Sequence, residues 1–327
     1  MSPDIKATMS SPQKTAIVTG ASQGIGAGIV KGFVERGFNV VTNSWKVTQS
    51  TEIAASNRGA LVDGHIGELA TAAKIVETAL SRFKSIDVLV NNTGIFFTKP
   101  FTDNTAEDFK SLVATNLEGF LYVTQLSIKQ MLAQKTGGSI VTITAALARN
   151  PIRGVTAAVP MITKGGLETI THHLAMEYAK NGIRVNALAP GAVYTPLHRN
   201  TPKDVMENLS PMGRPSTVRD ITDAVMYLTD AATVTGQILY VDGGAHFGGA
   251  GAVYNLLADE RRGVFRASAR RADVRSLPAA GKSALRDNHR FDRKGDNREV
   301  SRLFRHDDAP PATMKRYVFP EFRGCYV

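Results

Sequence analysis

From Lys14 to about Val241, short apolar runs alternate with stretches of helical periodicity. The runs are Thr15–Thr19, Asn39–Asn43, Gly59–Val62, Ile86–Val90, Ser139–Thr144, Ile183–Leu188 and Gln237–Val241. Each is short and almost continuously apolar, as expected of a strand buried on both faces. Between them, Ile25–Arg36, Glu68–Phe83, Ala106–Gln134, Met161–Lys180 and Val218–Thr229 read as helices. Gly37 stops the first of these. Neither Gly119 nor any proline ends the third, so Ala106–Gln134 is expected to be one long helix. A short helical stretch is expected near Asp204–Leu209. Buried strands alternating with helices predict an α/β fold, a parallel sheet of about seven strands covered on both faces in a single domain over 14–248.

The pattern stops after Phe247. Gly248-Gly249-Ala250-Gly251 is a break, and the scattered arginines beyond it show little apolar periodicity. The 327 residues are 43% hydrophobic, enough for a sizeable core, but the net charge of +10 suggests a nucleic-acid binder until that charge is located. Residues 249–327 carry 17 Lys and Arg against 10 Asp and Glu, so most of the excess lies there. That segment is expected to be a disordered basic tail, and residues 1–13 a flexible N-terminus. The nearly neutral remainder suits a metabolic enzyme acting on a small molecule, with neither a nucleic-acid nor a membrane partner. Met1–Pro12 has no apolar secretory stretch. Cys325 is the only cysteine, which excludes an intrachain disulfide and a cysteine-based zinc site. A cytoplasmic setting and no metal are expected.

Candidate chemistry begins at Thr19-Gly20-Ala21-Ser22-Gln23-Gly24-Ile25-Gly26, which joins the first strand to the first helix. Gly20 permits a sharp turn, while Gly24 and Gly26 let backbone approach a pyrophosphate at the helix N-terminus. The second strand ends in Asn43-Ser44-Trp45-Lys46, without the carboxylate that would repel a 2′-phosphate. Ser44 offers a hydrogen bond and Lys46 a positive charge, so NADP(H) is favoured as cofactor.

Further motifs follow in order: Asn91-Asn92-Thr93-Gly94, Asn116, Lys164, Pro190-Gly191 with Val193 and Thr195, and Val241-Asp242-Gly243-Gly244. Together with the glycine turn, they resemble the short-chain dehydrogenase/reductase family over Lys14 to Phe247. The resemblance implies a Rossmann-type, doubly wound sheet and a homodimer or homotetramer. It implies cofactor contacts from Gly20, Ser22, Gln23, Gly24, Ile25, Gly26, Ser44, Asn92, Gly94, Lys164, Val193 and Thr195. Where relatives place an adenine-binding Asp, this chain has His65, with Asp63 two residues earlier.

The family protonates the alkoxide left by hydride transfer with a Tyr, four residues before the Lys. Here Pro160 stands in that place, and no Tyr occurs between Tyr122 and Tyr178. Ala145 stands in the usual Ser position, with Thr144 beside it. The catalytic candidates carried over are therefore Asn116, Thr144 and Lys164. Tyr194, Thr144 and Lys164 are conceivable substitutes for the lost acid; Arg149 and Arg153 lie in a loop near the cleft, and His172-His173 on a helix face. The expected function is an NADP(H)-dependent oxidoreductase with an altered site, reducing a carbonyl, an iminium or an activated enone, in the manner of natural-product enzymes. The alternative is a non-redox NADP(H)-binding cyclase, scaffold or regulatory protein.

Overall fold

The computed structural model describes residues 13–152 and 154–248. The basic tail expected over 249–327 lies outside the described residues, as do Arg153 and all of the expected flexible start except Gln13. Among the described residues seven strands are found: β1 (Thr15–Thr19), β2 (Asn39–Ser44), β3 (Gly59–Asp63), β4 (Val88–Asn91), β5 (Gly138–Ile143), β6 (Ile183–Pro190) and β7 (Ile238–Val241). They form one sheet in the order β3-β2-β1-β4-β5-β6-β7. Every pairing is parallel, as the uninterrupted apolar runs imply.

The helices are α1 (Gly24–Glu35), α2 (Leu69–Phe83), α3 (Ala106–Leu112), α4 (Gly119–Gln134), α5 (Ala158–Tyr178), α6 (Lys203–Asn208), α7 (Val218–Asp230) and the short α8 (Ala245–Gly248). Two apolar clusters flank the sheet. One joins Ile29, Phe33, Val40, Val90, Ile221 and Val225, so α1 and α7 cover that face. The other joins Ile17, Ile75, Leu89, Val123, Ile140 and Val185, so α2, α4 and α5 cover the opposite face. α3 and α7 begin with reciprocal capping boxes, Thr105 with Asp108 and Thr217 with Asp220, which satisfy first-turn N–H groups.

The third helix departs from expectation. Ala106–Gln134 is not one uniform α-helix, because a π-turn over Val113–Glu118 separates α3 from α4. The cause is tertiary: the Asn116 side chain is engaged by Ile95 and Thr163, which holds that turn open. Helix α5 starts three residues earlier than the pattern suggests, making Pro160 its third residue. An N–H in that first turn has no intrahelical acceptor, so proline costs little there.

The strand order reverses between β1 and β4: β2 and β3 lie to one side of β1, β4 to β7 to the other. Such a switch point opens a crevice at the carboxyl ends of the strands.

Candidate active site

The first βα turn sits at this crevice. Gly20 and Gly24 have φ of 64° and 60°, a region that disfavours side chains. A Cβ on Gly26 would stand 2.5 Å from the Gly20 carbonyl oxygen and 2.6 Å from Asn92 Nδ2, so only glycine fits. Gln23 supplies no side-chain cap to α1, and no acidic residue occupies its first turn. Among the described residues, no side chain caps the first N–H groups of α1, and such a helix start suits an anion. Ile25 anchors that turn in the core.

Asn92 ties the turn to β4. Its Nδ2 donates to the carbonyls of Thr19 (3.0 Å) and Gly20 (2.9 Å), while the N–H groups of Asn92 and Thr93 both donate to Thr19 Oγ1 at 3.1 Å. The buried Asn92 Oδ1 and Thr93 Oγ1 have no partner among the described residues, which fits a crevice shaped for a ligand rather than a closed core. A Cβ on Gly94 would stand 2.9 Å from Lys164 Nζ and 3.4 Å from Asn116 Oδ1. Missing side chains at Gly26 and Gly94 keep the length of the crevice open, and the uncapped α1 end matches a pyrophosphate. The residues present therefore fit a dinucleotide.

At the end of β2, the hydroxyls of Ser22 and Ser44 lie 3.1 Å apart. Ser50 Oγ donates to the Ser22 carbonyl at 2.6 Å and fixes this corner. Lys46 is exposed and forms no ion pair among the described residues. Across the crevice, the segment after β6 is pinned by a parallel bridge between Val193 and Ser216. It brings Thr195 so close to the glycine turn that a Cβ on Gly24 would lie 3.6 Å from Thr195 Cβ. Tyr194, one residue before, is exposed.

Lys164 is buried beneath β5. Its Nζ donates to the Ile143 carbonyl at 2.9 Å. Burial without a carboxylate partner pulls its pKa from 10.5 down to about 8. Asn116 is engaged: Oδ1 accepts from Ile95 N–H at 2.8 Å, and Nδ2 donates to the Ile95 carbonyl (3.1 Å) and Thr163 Oγ1 (2.9 Å). Thr163 in turn donates to the Pro160 carbonyl at 2.8 Å. Asn116 therefore acts as a brace between the β4 crevice and α5: both Nδ2 donors are used, and one lone pair of Oδ1 remains.

The structure does not bring the Thr144 hydroxyl to Lys164. It lies 3.3 Å from a Glu168 carboxylate oxygen and 3.3 Å from the Leu188 carbonyl. The Glu168 side chain is 1% exposed, and Arg149 Nε meets its other oxygen at 2.7 Å. Arg149 is thus committed to an internal ion pair. Glu168 and Thr163 were not singled out in the sequence; Glu168 falls one turn after Lys164, which could have placed it on an inward face. His172 and His173 are exposed on α5. Pro160 is buried where the phenol is expected, and the partly exposed Ala145 offers no hydroxyl. The arrangement combines a crevice that fits a dinucleotide with a buried lysine one turn after Pro160.

The family model described as "Enoyl-(Acyl carrier protein) reductase" matches residues 20–246. A short-chain dehydrogenase/reductase of Armillaria gallica is 31% identical over 73% of this chain and 98% of its own length. A tropinone reductase homolog of Arabidopsis thaliana is 34% identical over 70% of this chain and 92% of its own. Among solved structures, a 3-ketoacyl-(acyl-carrier-protein) reductase from Brucella melitensis, complexed with NADH, aligns with a TM-score of 0.67 at 32% identity. That alignment covers 72% of this chain and all of the other. A gluconate 5-dehydrogenase from Burkholderia cenocepacia, in complex with NADP and tartrate, aligns at 0.65 and 28% identity, over 71% of this chain and 94% of the other. The doubly wound sheet, the glycine turn, the buried lysine and these matches together show that the chain belongs to the short-chain dehydrogenase/reductase family.

Proposed function

We propose that this protein is an NADP(H)-dependent oxidoreductase in which Lys164 takes over as the acid, and that it reduces a conjugated enone or an iminium of a small molecule. The observation that carries this reading is Lys164 itself: buried, with a pKa of about 8, one turn after a proline in place of a phenol.

When bound, NADPH supplies the hydride. Near neutral pH Lys164 is mostly ammonium, held in place by the Ile143 carbonyl. A saturated ketone would leave an alkoxide, a strong base that develops its charge early and needs a well-placed acid. An enone leaves an enolate, a weaker base. The Lys164 ammonium balances that charge and transfers one proton to the oxygen, and water restores the proton to Lys164. An iminium becomes a neutral amine and needs no acid. Asn116 and Thr163 keep Lys164's helix in register with the crevice, and Gly94 leaves room beside Nζ. The exposed Leu121, Ile162 and Met176 on α4 and α5 support a homodimer or homotetramer.

The coenzyme half of the reading rests on the end of β2, where Ser22, Ser44 and Lys46 present hydroxyls and a cation. NADPH should bind more tightly than NADH by about 5-fold, the upper end expected of one exposed charge contact. In fluorescence titrations Ser44→Asp should erase or invert that preference. Equal affinities for both coenzymes, unchanged in the variant, would defeat the assignment. A second reading, a non-redox cyclase or scaffold, draws on the same loss of the phenol. It is selected if NADPH binds and is never consumed with any enone, iminium or ketone.

A further inference from the structure

A second recess lies at the amino ends of the strands. It is an open cavity of about 640 Å³ between the start of β2, the Asn57 turn before β3 and the carboxyl end of α2. That volume is in the range of small-molecule sites and exceeds what a bare ion needs. Asn39 borders the cavity and Ser44 marks the other end of β2, so the recess stands about 16 Å from the Ser22–Ser44 corner. Val41 packs with α2 in the second apolar cluster, and Asn39, two positions earlier, faces the same side. Asn39 is only 8% exposed, yet its amide has no partner among the described residues. A buried amide left open towards a cavity points to a ligand.

The wall opposite Asn39 is cationic. Arg82, Phe83 and the cap residue Lys84 form it at the end of α2. The Arg82 guanidinium lies over the Phe83 ring, 5.2 Å from its centroid. Its Nη1 donates to the Gly59 carbonyl at 3.4 Å and its Nη2 to the Ser56 carbonyl at 3.2 Å, which leaves three of its five N–H donors. Lys84 Nζ donates to the Ser81 carbonyl at 2.9 Å and keeps two. The Lys84 N–H closes the carbonyls of Ala79 and Leu80, so the end of α2 does not call for a further cation. Among the described residues no carboxylate lines the cavity. Asp87, beside it in sequence, is held by the Thr15 N–H at 2.8 Å and the Ser85 hydroxyl at 2.7 Å.

We propose that this recess binds a small organic anion, whose carboxylate or phosphate meets Arg82, Lys84 and Asn39 and whose apolar body lies along Phe83. A guanidinium with free N–H groups beside an ammonium suits either head group. The site stands at the opposite end of the sheet from the coenzyme crevice and does not depend on the dinucleotide reading.

The test is a calorimetric titration of the full chain, alone and with NADPH present, using phenyl phosphate, benzoate, inorganic phosphate and benzyl alcohol. Phenyl phosphate or benzoate should bind once per chain, about 10-fold or more tighter than inorganic phosphate or the alcohol. The tighter of the two identifies the head group as phosphate or carboxylate. Affinity should be the same with and without NADPH. Arg82→Gln should weaken binding about 10-fold and Lys84→Asn about 5-fold. Lys84 has φ of 70°, a conformation that asparagine adopts readily, so the second variant keeps the helix cap. Asn39→Asp sets a negative charge at the floor of the cavity and should abolish binding. NADPH affinity should be unchanged in all three variants. Absence of saturable binding would overturn the proposal, as would inorganic phosphate or benzyl alcohol binding as tightly as the aromatic anions. Binding unaltered in both Arg82→Gln and Lys84→Asn, or lost when NADPH is present, would place the anion elsewhere and overturn it as well.

Discussion

Replacing Lys164 by methionine should cost at least ~100-fold in turnover of an enone and yet raise the melting temperature of the nucleotide-free protein at neutral pH. The loss is the contribution of a general acid. The gain follows from linkage. Lys164 has a folded-state pKa of about 8 against 10.5 when unfolded. Below about 8 it is protonated in both states, and folding carries the full cost of burying the charge, about 3 kcal/mol for a shift of this size. Methionine fills similar space without the charge. It gives up the hydrogen bond to the Ile143 carbonyl, worth about 1 kcal/mol. The balance is about 2 kcal/mol, or roughly 5 °C for a domain of this size.

The pH dependence has a definite sign. Between about 8 and 10.5 the unfolded chain binds more protons than the folded one, so the parent protein gains stability as pH rises through that window. The advantage of Lys164→Met should shrink over the same interval. Thermal melts at neutral and alkaline pH check both statements. A variant that melts lower than the parent at neutral pH would make Lys164 a structural residue. Unchanged turnover would remove it from the chemistry.

Pro160→Tyr should confer reduction of simple saturated ketones, raising it ~10-fold or more over the parent, since a positioned acid typically contributes ~10²- to 10⁴-fold. Pro160 lies one turn before Lys164 in the first turn of α5, where its replacement breaks no intrahelical bond. The new phenol would be lowered in pKa by the Lys164 ammonium. Adding Ala145→Ser should increase the gain, because the serine hydroxyl can orient the carbonyl. Steady-state rates with matched ketones read this out. If ketone reduction stays absent in the double variant while NADPH affinity is intact, the cleft has been reshaped beyond the loss of one side chain.

The strands were legible because sheet burial on both faces leaves a continuous apolar signal. Thr15–Thr19 coincides with its sequence reading, and Asn39–Ser44 differs only by its last residue. β4 begins at Val88 rather than Ile86 because the Ile86 N–H and carbonyl bond the Gln134 side chain instead of a neighbouring strand. The π-turn at Val113–Glu118 was not legible. It arises from contacts of Asn116 with residues 21 and 47 positions away, and local periodicity carries no trace of those. The same limit hid the Thr144–Glu168–Arg149 cluster. A glutamate in a helix reads as solvated until a loop arginine and a strand-end hydroxyl are seen to close over it. The glycine turn, by contrast, is a local backbone requirement, and its spacing exposed it directly.

The central claim is that this site reduces a bond whose product is a weaker base than an alkoxide, so that Lys164 suffices where a saturated ketone would need a stronger acid. Its most direct test is the rate of NADPH oxidation in a single turnover with three substrates of matched shape: a cyclic enone, a cyclic iminium and the saturated ketone. The enone or the iminium should be reduced, with the saturated ketone slower by ~100-fold or more, the contribution of the missing phenol. A ketone reduced as fast as either of the others would contradict the account.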